Sequence, residues 1–131
     1  MKEFSLKEAC YAFMVAIANV DQNVTTVEKY VIDHFFDDKF NFFKLSDEKK
    51  KIIGSELRRS LPREEYNAMI VAALKKEKKE KQMEAFELVC KFIYTNCPKS
   101  TSSWAEANEI QRNLDFTMDE YKEYEVWKAK A

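Results

Sequence analysis

A single glycine, Gly54, and two prolines, Pro62 and Pro98, punctuate 131 residues. A many-stranded sheet needs tight turns at short intervals, and those turns draw on glycine and proline positions that this chain hardly has. Helices need far fewer breaks. With 46% hydrophobic residues the chain is too apolar for disorder, and its 34% charged residues suffice to solvate the outer faces of helices. The composition predicts an all-α protein. A chain of this length buries a core as one domain without help from a disulfide or a metal.

A formal charge of −1 provides no overall field to gather nucleic acid or an anionic membrane, so neither is expected as a partner. Cys10, Cys90 and Cys97 are odd in number and lack C-x-x-C spacing, which fits reduced thiols in a cytoplasm better than a disulfide framework or zinc site. Ala9 to Val20 is apolar enough to imitate the core of a signal peptide. Glu3 and Glu8 offset Lys2 and Lys7, however, and Ser5 with Glu8 forms a capping box. The run is also too short to span a bilayer, so it reads as a helix and no transmembrane segment is expected.

Caps and periodicity predict six or seven helices. The first runs from about Leu6 to Val20, is apolar nearly all round, and belongs in the centre. Thr25 with Glu28 opens a second, and Ser46 a third with Asp47 and Glu48 in its first turn, where the helix dipole favours acids. Pro62 suits the first position of a fourth, whose Tyr66, Met69, Ile70, Ala73 and Leu74 keep one face. Lys75 to Gln82, "KKEKKEKQ", reads as a solvated helical elbow running on into a second strongly apolar helix from Met83 to about Thr95. The loop "NCPKSTSS", Asn96 to Ser103, follows. Ser103 with Glu106 opens the next helix, bearing Trp104, Ala107, Ile110 and Leu114, and Thr117 with Glu120 opens the last.

These caps repeat. Each half holds an apolar helix, a polar loop starting at Asp21 or Asn96, a capped helix and a second cap at Ser46 or Thr117, so residues 5–61 and 62–131 read as two copies of one unit. Between Glu28 and Ser46 the first half carries an extra stretch of about two helical turns relative to the second.

"AIANVDQNVTTVEKY" sets small residues Ala16 and Ala18 before Asp21, then Val24, then Glu28 four positions later. In this arrangement the chain resembles the TerB-like domains, named for a bacterial tellurite-resistance protein. The resemblance implies an all-helical single domain of two pseudo-repeats, no catalytic activity, and clustered acids that bind divalent metal. It implies a cytoplasmic binding or scaffold module linked to stress or tellurite response or to envelope-associated assemblies. The chain departs from the family pattern where Gln22 replaces a glycine and Asn96 replaces the second-copy aspartate.

Two carboxylates are few for a hard cation, which takes six or more oxygens. As an EF-hand loop, the stretch from Asp21 fails at Thr26, where glycine is obligatory, and at Ile32, where a bidentate glutamate belongs. Asp21 and Glu28 are therefore expected to serve as a turn residue and a capping partner, with divalent-metal binding or sensing as the alternative. His34 among Asp33, Asp37 and Asp38 makes an incomplete ligand set, and Cys97 has no neighbouring base. No nucleophile and base pair stands out, and no glycine-rich phosphate loop exists, so no enzyme and no cofactor are expected. "FFDDKFNFF", Phe35 to Phe43, falls in the extra stretch of the first half. Its rings are expected to pack over the ends of the second and third helices, with the alternative that Phe40 and Phe43 form an exposed patch that meets a protein partner or a second copy.

Overall fold

The computed structural model describes residues 3–20, 45–96, 99–117 and 119–121. Five helices and no strand occur among them, so the protein is all-α as its composition requires.

Helix α1, Leu6–Ala18, opens on the expected capping box: the Ser5 N–H donates to the Glu8 carboxylate at 2.7 Å, and the Glu8 N–H donates to the Ser5 hydroxyl at 3.3 Å. Glu8 is buried yet ionised. Burial alone would raise its pKa, but the two Ser5 bonds and the Lys49 ammonium 3.5 Å away hold it below the ordinary 4.5. The stabilisation it contributes is thus complete above the ordinary value and lost as the pH falls through the lowered one. Ten consecutive residues of α1, Glu8 to Ile17, are buried, and the remaining helices pack around it. An all-round apolar helix has no other stable place.

Helix α2 begins at Asp47–Lys51 under the Ser46 cap, widens into a π turn at Ile52–Glu56, and ends at Leu57–Ser60. The Ile53 carbonyl in that wide turn accepts from the Tyr66 hydroxyl at 2.9 Å, which ties α2 to the next helix. Gly54 sits opposite the Tyr11 ring. A Cβ there would lie 3.7 Å from Tyr11 Oη and 3.8 Å from Cε1, ordinary contact distances. Gly54→Ala is therefore expected to stabilise the domain by about 0.5–1 kcal/mol, read by urea denaturation, because the helix sheds a glycine without a clash. A loss of stability would show that the π turn needs the glycine.

Helix α3, Arg63–Lys75, buries Tyr66, Ile70, Ala73 and Leu74 on the expected face, with Pro62 at the cap position one residue before the helix. The expected continuous elbow is absent. The chain turns at Lys76–Lys78 before α4, Lys79–Asn96, so the second apolar helix begins four residues ahead of Met83. Gln82 accounts for a break without glycine or proline: fully buried, it donates to the Glu77 carbonyl at 3.0 Å and satisfies an acceptor that a continuing helix would have bonded. The same amide group donates to Asp115 at 2.9 Å, and its oxygen accepts the Asp115 N–H at 2.9 Å. Lys79 meets Glu120 at 2.6 Å. The lysine-rich turn is thus the seat for the segment that follows the last described helix.

Helix α5, Thr101–Gln111, is capped by Ser100, whose hydroxyl accepts the Ser103 N–H at 3.2 Å. The expected cap at Ser103 is corrected by this bond: Ser103 and Glu106 are buried inside the helix. After α5 the reciprocal Thr117 and Glu120 bonds form at 3.0 and 3.2 Å, but Asp119 and Glu120 lie in a turn and Tyr121 is not helical, so the helix expected there does not open among the described residues. The core packs Phe13 of α1 against Phe86 of α4, and Phe116 and Tyr121 close over Phe86.

Candidate functional site

Asp21, Glu28, Phe40 and Phe43, together with His34 and Cys97, lie outside the described residues. Among the described residues no group of three or more histidine, cysteine or acidic side chains is placed to hold a metal ion.

The site that the structure does bring together lies where α1 ends. Ala16, Asn19 and Val20 form one wall of a cleft of about 370 Å³, and the first turns of α3 and α5 form the others. Asn19 closes α1 by donating its side-chain amide to the Val15 carbonyl at 2.8 Å. Glu106 forms the floor. Its side chain is 2% exposed, a position that glutamate occupies only when its charge is met.

Arg63 and Asn67 meet it, one turn apart on α3. The Arg63 guanidinium reaches one Glu106 oxygen at 2.5 Å, and the Asn67 amide donates to the other at 3.2 Å. The hydrogen bond to Glu106 is the main reason the guanidinium pKa stands above its already high ordinary value. Arg63 also reaches Glu109 at 3.4 Å, so one guanidinium bridges two turns of α5. Because 55% of its side chain is exposed, Arg63 presents the remainder of its donor fork to the cleft. Arg58, at the end of α2, reaches the cleft with its guanidinium carbon 5.9 Å from the Tyr66 ring centroid.

The cleft thus offers a polar group guanidinium donors from Arg58 and Arg63 beside the exposed Glu109 carboxylate. Both oxygens of the acid on the cleft floor are already engaged, one by Arg63 and the other by Asn67. Burial pushes the Cys10 thiol up to about 12 and the Cys90 thiol further, so neither is a thiolate near neutrality. Glu106 appears in the sequence as a helix-capping acid, and Arg63 carries no local signal at all. The one clue was an acid at a position that the apolar period of Trp104, Ala107 and Ile110 turns toward the core, where it requires a cation.

The fold and cleft define an all-helical bundle with a polar, charge-compensated recess. No family model, no curated protein and no solved structure matches the chain. Among the described residues no helix is long and apolar enough to cross a membrane.

Proposed function

We propose that the chain is a non-enzymatic cytoplasmic binding or scaffold module of the TerB-like type, linked to stress or tellurite response. The observation that carries the reading is the cleft whose buried acid among the described residues, Glu106, is committed to Arg63 and Asn67, which leaves the Arg58 and Arg63 guanidinium groups as donors at its opening. The two-repeat plan of six or seven helices belongs to the same proposal. The cap at Ser100 supports it, because Asn96 to Ser100 has the same spacing as Asp21 to Thr25, so the two loops match in length. In that register Ser103 stands where the first half has Glu28.

Partner capture would involve the cleft and, in the first half, Phe40 and Phe43. Ala105 lies exposed on the cleft wall, so Ala105→Trp fills the recess without touching the core. Proteins retained from the source cell's extract by the wild type should be lost with Ala105→Trp and with Arg58→Glu. Equal capture by all three would remove the cleft from the proposal.

The second reading is a divalent-metal-binding or metal-sensing protein using Asp21 and Glu28. Asn96 and Ser103 occupy the corresponding places of the second half, so the two acids would have to act without counterparts. Calcium, magnesium, manganese and zinc are therefore expected to leave the melting temperature unchanged. An ion that stabilises the wild type but not Asp21→Asn, by about 2.7 kcal/mol at a hundredfold excess over its dissociation constant, would reverse the order of the two readings.

A further inference from the structure

We propose that the outer face of α3 is an interface between two copies of this chain, packed antiparallel across Ala68 and Ala72. These two exposed residues stand between two grooves, one of about 390 Å³ beside Val71 and Ile110, the other of about 260 Å³ beside Phe4 and Met69. A helix face that is low in the middle and grooved on both sides admits a second helix at the short end of the usual 8–10 Å separation.

The charges on that face determine what fits. Glu65, Ala68, Ala72 and Lys75 follow the alternating three- and four-residue spacing of a helix-pairing seam, with the acid at one end and the base at the other. A two-fold axis at the level of Ile70 sets Ala68 against the partner's Ala72 and, at both ends, Glu65 against the partner's Lys75. Parallel packing would set Glu65 against the partner's Glu65, so the pattern is complementary to itself in one direction only. Glu65 is exposed, and Lys75 is held only loosely, 3.9 Å from Asp115 with half its side chain in solvent, so both are free to turn toward a partner. In the antiparallel arrangement each Val71 lies beside the groove that the other copy's Val71 borders, and the Met69 side chains meet likewise over the second groove. One pair of 13-residue helices makes a small interface, hence a reversible dimer rather than a permanent one.

Charge reversal tests this without touching the core. Sedimentation equilibrium of the full chain from micromolar to near-millimolar concentration should show monomer and dimer. Glu65→Lys alone and Lys75→Glu alone each place like charges together twice and should raise the dissociation constant by about tenfold or more. The double variant should restore the dimer, and an equimolar mixture of the two single variants should form a heterodimer tighter than either homodimer. Unchanged melting temperatures in the single variants accompany this outcome, since both positions are exposed. A wild type that stays monomeric throughout, or a mixture no tighter than its components, overturns the proposal.

Discussion

Phe86→Ala is expected to cost about 3–5 kcal/mol by urea denaturation, a large part of the roughly 5–15 kcal/mol that holds a domain folded. Phe86 is fully buried at the midpoint of α4, and three rings converge on it: Tyr121 at 5.3 Å, Phe116 at 5.7 Å and Phe13 at 6.5 Å between centroids. Two of those rings lie beyond α5, in the segment that Gln82 and Lys79 seat. Truncating Phe86 therefore opens a cavity in the main core and also removes the surface on which the segment closes. Phe86→Leu keeps most of the volume and should cost about 1–2 kcal/mol. If Phe86→Ala lost less than about 1 kcal/mol, the ring would not be the centre of the core and the packing of α4 against α1 would be misplaced.

The contrast between Phe86 and its covering rings marks how far sequence reasoning reaches. Phe86 was legible because Val89, Cys90, Phe92 and Ile93 follow it at helical spacing, and a wide apolar helix must be central. Phe116 and Tyr121 were harder to place, since the segment from Arg112 to Thr117 is not helical and no period exposes its inward face. Its register is fixed instead by Gln82, whose bonds to Asp115 join positions far apart in the chain. The caps divide similarly. Ser5 and Ser46 cap helices as their local sequence requires and Thr117 makes its bonds to Glu120 in a turn, whereas in "STSS" several hydroxyls compete, and Ser100 takes the cap because Glu106 is drawn inward to Arg63. That ion pair, the floor of the cleft, was invisible for the same reason: its partners lie on different helices.

The same pair sets an asymmetric expectation. Arg63→Met should cost about 2–3 kcal/mol, below the usual range for breaking a buried ion pair because the cleft admits water beside the stranded carboxylate. Glu106→Gln should cost less than about 1 kcal/mol. The amide oxygen still accepts from Arg63, its NH2 group meets Asn67 once that amide turns to offer its oxygen, and the guanidinium is already 55% in solvent, where losing the ion-pair charge matters little. Combining the two removes the stranded charge, so Arg63→Met with Glu106→Gln should be more stable than Arg63→Met alone, a non-additivity that a double-mutant cycle by urea denaturation measures directly. The burial of Glu106 is what makes the two ends unequal. Equal losses in the two single variants would mean that solvent reaches both ends alike, and the cleft would then have no charged floor to position Arg63 at its mouth.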